Sequence, residues 1–143
     1  MMKILNYLLA AVIVLFQNTA IANSFAECPS SPNCVSSQSL STSHKIEHLN
    51  FAETLEDFKH LISFFVREMP RLKIIKQTEN SVQLEATSLI FRFVDDVEFY
   101  FDQSNSVLHV RSASRLGYSD LGANRKRVEE FRNLLIKFQA SNK

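Results

Sequence analysis

Tryptophan is absent from these 143 residues, glycine and cysteine occur twice each and proline three times. Each scarcity removes a class of protein. The two glycines, Gly117 and Gly122, form no phosphate-loop or dinucleotide fingerprint. Two cysteines cannot complete a structural zinc site without two further ligands. A charge excess is also lacking: 16 Lys and Arg stand against 15 Asp and Glu. A general nucleic-acid or anionic-membrane binder needs a positive footprint that this balance does not supply. With no Trp, the 12 Phe are expected to build the core.

Long apolar runs are missing too. Leu8 to Phe16 is unbroken, but a membrane span needs about 20 apolar residues, and Asn6 interrupts any extension. The run instead fits a secretory signal peptide over residues 1–22. Lys3 supplies the positive start, and Ala20-Ile21-Ala22 sets small side chains where a signal peptidase reads. Export to the periplasm or outside the cell follows, the alternative being an anchor through residues 4–22. Contact with a membrane is expected only through such an uncleaved segment. Glu27 before Cys28 makes a poor lipidation site. About 120 residues then remain, enough for one domain and not two.

An oxidising compartment gives Cys28 and Cys34 their meaning. Their spacing is too wide for a thioredoxin-like redox motif, so a disulfide is expected, worth about 2 kcal/mol for so short a loop. Residues 23–50 read as a Ser/Pro-rich extension without apolar period, and residues 51–143 as an α+β domain. Its first helix is capped by Asn50 with Glu53 three residues on. Leu55, Phe58, Leu61, Ile62, Phe65 and Met69 form its apolar stripe, and Pro70 ends it.

Four strand-like segments follow: Leu72 to Thr78, Ser81 to Ser88, Leu89 to Asp102 and Val107 to Ser114. In the third, alternation sends Phe91, Phe93, Val97, Phe99 and Phe101 to one face and Arg92, Asp96, Glu98 and Tyr100 to the other. A last helix runs from about Gly122 to Phe138, burying Val128, Phe131, Leu135 and Phe138. The order α-β-β-β-β-α predicts a four-stranded antiparallel sheet with both helices on one face.

Polar residues crowd into positions 91–127. Asp96 and Glu98 share a face, with His109 nearby, a conceivable metal trio. Yet any register consistent with the alternation sets Arg111 beside one of them, and Arg92 shares the face. Cross-strand ion pairing is therefore expected rather than a metal site, and no cofactor. Asp95 falls on the apolar face, where a lone carboxylate is costly. It is expected to pair with Arg115 or Arg125, or to accept backbone N–H bonds from the Gly117–Gly122 link, anchoring strand to final helix.

Arg125, Lys126 and Arg127 open a helix, where the macrodipole disfavours cations. Either Asp120, Asp95 and Glu129 pair with them, or with Arg111 and Arg115 they await an anionic ligand at the helix start. His44 and His48 are expected to be solvated, and His60 to lie at a core rim. Serines show no nucleophile-elbow pattern. Arg92, Asp95, Asp96, Glu98, Arg111, Arg115, Asp120, Asn124 and Arg125 thus form the candidate ligand or ion-pair cluster.

Three stretches resemble domain-of-unknown-function family 1499. They are Cys28-Pro-Ser-Ser-Pro-Asn-Cys34-Val-Ser-Ser, Phe91-Arg-Phe-Val-Asp-Asp-Val-Glu-Phe99, and Arg111-Ser-Ala-Ser-Arg-Leu-Gly-Tyr-Ser-Asp-Leu-Gly-Ala-Asn-Arg-Lys-Arg-Val-Glu129. The resemblance implies an exported or membrane-associated bacterial-type domain and no assigned reaction. The expected function is a non-catalytic binding or structural module of the cell envelope, with a small anionic ligand or an envelope protein as partner and no nucleic acid. The alternative is a hydrolase-like enzyme using Asp95 or an Asp96/Glu98/His109 group, with or without a divalent metal.

Overall fold

The computed structural model describes residues 24–142; the expected signal peptide lies outside them. The elements in chain order are β1 (Cys34–Ser36), β2 (Leu49–Asn50), α1 (Leu55–Glu68), β3 (Leu72–Gln77), β4 (Ser81–Thr87), β5 (Val94–Asp102), β6 (Val107–Ser114) and α2 (Ala123–Ser141). One antiparallel sheet runs β1-β6-β5-β4-β3, with β2 also paired to β6. The α+β class and the shared helix face hold; the strand number and element order are corrected.

Two strands precede α1 because residues 34–50 are not a free extension. Cys34 to Ser36 pairs with Arg111 to Ala113, and Leu49-Asn50 with Val107-Leu108. Val35, Ile46, Leu49 and Phe51 then enter the core. Their spacing carries no period because each is placed by a distant strand rather than by its neighbours.

Helix α1 starts later than expected. Thr54 accepts from the Asp57 N–H while the Asp57 carboxylate accepts from the Thr54 N–H, a reciprocal cap. Asn50 instead sits in β2, and Phe51, fully buried, needs extended chain to reach Phe101. Met69 closes α1 before Pro70, as a proline dictates.

Strand alternation points Val82, Leu84, Val97, Phe99, Phe101, Leu108 and Val110 at the helices. Phe99 meets Phe65 of α1 at 5.7 Å and Phe131 of α2 at 5.0 Å, so both helices cover the same face. Among the described residues, the core cluster runs from Val35 to Phe138. Cys28 and Cys34 are joined, as expected. On the other sheet face, Ser24 and Phe25 lie beside Ser81, Gln83 and Tyr100.

The third strand is shorter than its alternation suggested. Residues 88–93 form the β4–β5 hairpin loop, closed by the Ser88 N–H to the Phe93 carbonyl at 2.8 Å and the Phe93 N–H to Ser88 Oγ at 2.9 Å. Arg92 adopts a left-handed φ of 56°, which reverses the chain and breaks the alternation. Phe91 and Phe93 are consequently exposed, not buried.

Candidate functional site

Apart from Arg92 and Arg125, the candidate residues gather at the two faces of the β5–β6 hairpin. On the outer face, Glu98 stands opposite Arg111 in register and accepts from its Nη1 at 3.0 Å. Asp96 takes Arg115 instead: Nε and Nη2 grip the carboxylate at 2.7–3.1 Å, and Nη2 reaches Glu85 of β4. Arg115 can do this because it lies past the end of β6 and folds back over the strands. A groove of about 330 Å³ between these side chains is lined also by Ile75 and Gln83.

His109 does not join those acids. It faces Tyr100 in register, rings stacked 6.0 Å apart, and its Nδ1 lies 3.2 Å from Ser37 Oγ. Burial and nearby His48 push its pKa down, against Asp102, so the neutral imidazole is favoured. Among the described residues, no three His, Cys, Asp or Glu side chains gather closely enough to hold a metal ion.

Asp95 is buried on the inner face, as strand parity required. Its partner is corrected: Arg127 Nη2 donates to Asp95 Oδ2 at 2.6 Å, in place of Arg115 or Arg125. Arg127 follows Asn124 by three residues and precedes Phe131 by four, so it lies on the sheet-facing stripe of α2. Its Nη1 donates to Ser112 Oγ and Asn124 Oδ1.

Asn124 is the centre of this network and fully buried. Its amide donates to the Asn33 carbonyl, Ser114 Oγ and Asp120 Oδ2, and its Oδ1 also accepts from Ser112. Asn33, held within the disulfide loop, donates to the Gly117 carbonyl at 2.6 Å. Strand, final helix, glycine link and disulfide loop therefore meet in one satisfied cluster.

Asn33 and Ser112 escaped the sequence reading. Ser112 carried a signal, since alternation with Leu108 and Val110 aims it inward like Asp95. Asn33 carried none: its partner is 84 residues away.

The start of α2 is already occupied by the chain's own anion. Asp120 accepts from the N–H groups of Gly122 and Asn124 at 2.8 and 3.0 Å. Burial pushes its pKa up, but these bonds and the Asn124 amide outweigh it and leave it below the usual carboxylate range. Arg125 donates to the carbonyls of Ser43 and Lys45, and Glu129 pairs with Arg132. Neither Asp120 nor Glu129 binds the helix-start arginines, which corrects that part of the pairing expectation.

Arg92 leaves the polar face altogether and sits exposed in the hairpin loop. His44 is buried, with Nδ1 2.9 Å from the Cys34 carbonyl, and His48 is half-buried, so neither is a freely solvated side chain.

The same end of the sheet carries a different surface. The 88–93 hairpin exposes Leu89, Ile90, Phe91 and Phe93, and the neighbouring β6–α2 link exposes Leu116, Tyr118 and Leu121. The two loops adjoin, because the Arg115 N–H reaches the Val94 carbonyl. Exposed bulky apolar side chains are common singly; several gathered on two adjoining loops are the stronger mark of a contact surface.

A family model described as a protein of unknown function (DUF1499) matches residues 24–135, a span holding both loops and the polar network. No curated protein and no solved structure matches the chain.

Proposed function

The chain belongs to the DUF1499 family, and from that premise we propose that it is a non-catalytic binding module of the cell envelope whose working surface is the loop end of its sheet. The observation that carries this reading is the gathering of exposed bulky apolar side chains on two adjoining loops. The disulfide suits an oxidising compartment, and a signal peptide over residues 1–22 suits export.

The rival hydrolase reading loses support at each acid it would use. Asp95 lies behind Arg127, Asp96 is gripped by Arg115, and Glu98 by Arg111. A general base needs a lone pair facing substrate, and these face guanidinium groups. Recognition of an anion at the arginines gains little, since Arg111, Arg115 and Arg127 already hold carboxylates. Among the buried side-chain nitrogens and oxygens of the described residues, only Arg111 Nε is left without a partner.

A benzophenone amino acid at Phe91, compared with one at Ile136 on α2, tests the reading in intact cells. Phe91 should give a defined adduct after irradiation and Ile136 none. Equal labelling at both positions, or none at Phe91, would refute it.

A further inference from the structure

Resting on that reading, and departing from the expectation that a membrane is met only through residues 4–22, we propose that the loop end docks on the headgroup region of an anionic lipid bilayer. Ile90 and Phe91 at the hairpin tip enter the interface, and the local cation at the tip stands in for a net positive charge. The tip is prebuilt. Two bonds within the loop itself join its ends, and Phe91 stacks on Phe93 with centroids 5.7 Å apart. Leu116 and Tyr118 stand on the adjoining link, and aromatic rings with an apolar body and a polar edge favour the headgroup level.

Charge follows the same direction. No acid occurs among residues 88–93 or 115–119. The next, Asp120, turns its carboxylate onto the N–H groups of α2. Arg92 at the tip, Arg71 and Lys126 form no ion pair among the described residues, and Arg71 donates to the Thr87 carbonyl beside the loop. Glu130 and Glu68, the latter paired with Lys137, line the same cleft as Arg71, Lys126 and Ser88, so the cation that counts is Arg92, exposed at the tip itself. Cations flanking an apolar wedge complement anionic headgroups.

Shape favours a bilayer over a protein. A stable protein interface draws on about 20–30 residues a side, and the hairpin loop has only residues 88–93 to offer. A bilayer closes around whatever enters it, so a few side chains suffice for reversible attachment.

The test is vesicle flotation with residues 23–143, which contain the core cluster of the described residues, so that the apolar segment ahead of them contributes nothing. Wild type should float with phosphatidylethanolamine–phosphatidylglycerol vesicles, more weakly with phosphatidylcholine, and less at high salt. Ile90→Asp and Phe91→Asp should each lower partitioning about tenfold or more with an unchanged circular-dichroism melt, and Arg92→Glu should weaken only the anionic case. Ile136→Asp should change nothing. Absence of wild-type flotation, or an equal loss with Ile136→Asp, overturns the proposal. Should flotation fail while Phe91 still labels a defined protein in cells, the loop end remains the working surface and only the bilayer is lost; failure of both removes both readings.

Discussion

Replacing Arg127 by Leu strips Asp95 of its counterion without adding bulk to the core. Asp95 has only 7% of its side chain exposed and Arg127 12%, so water cannot replace the missing partner. Breaking one side of a buried pair costs about 3–5 kcal/mol. For a domain of this size that corresponds to a melting point lower by roughly 10–20 °C. Ser112 and Asn124 lose a donor each but keep their bond to one another, so most of the loss belongs to the stranded carboxylate. Asp95→Leu with Arg127→Leu should recover much of it, because both desolvation costs vanish together. Urea denaturation of both single variants and the double variant measures the coupling, expected at about 2 kcal/mol or more. Additive effects, or Arg127→Leu within about 0.5 kcal/mol of wild type, would refute the view of this pair as the joint between sheet and helix.

Gly122 holds a left-handed φ of 81° at the start of α2, with nothing within 4 Å of an added Cβ. Gly122→Ala should therefore cost about 1 kcal/mol from backbone alone, read by denaturant titration. Asp120 and His109 both have folded-state pKa values below their ordinary ones. Their contributions are thus full above the unfolded values and fall away as pH drops through the folded ones. Melting temperature should decline first as pH falls past the imidazole range and again through the carboxylate range; Asp120→Asn should flatten the second decline. Reducing Cys28–Cys34 should cost about 2 kcal/mol. It should also speed amide hydrogen exchange at residues 117–124, since the loop it releases carries Asn33; unchanged exchange there would refute the link.

What the sequence disclosed, and what it hid, follows the range of each interaction. The bounds of β6 and the end of α1 at Pro70 are local, and alternation or a proline reveals them. Asn50 with Glu53 and Thr54 with Asp57 satisfy the same capping pattern; the choice between them depends on Phe51, whose burial is a tertiary matter. Parity along one hairpin set Arg111 beside Asp96 or Glu98, and the register decides for Glu98. Arg127 was legible in principle, since the stripe of Val128 and Phe131 that defines the buried side of α2 also includes Asn124 and Arg127. The pairing of β1 and β2 with β6 spans more than 50 residues and leaves no periodic trace. Phe91 and Phe93 misled because alternation continues through them unbroken, while Arg92 turns the backbone.

Ser24 and Phe25 lie beside Ser81 and Tyr100, whereas the hairpin tip emerges beyond Thr87 and Val94, its register partner. The six steps of β4 between these poles amount to about 20 Å. A tether attached ahead of Ser24 would hold one pole of the domain and leave the apolar tip at the other. Anchorage and docking would then address two separate surfaces, with the sheet as the strut between them.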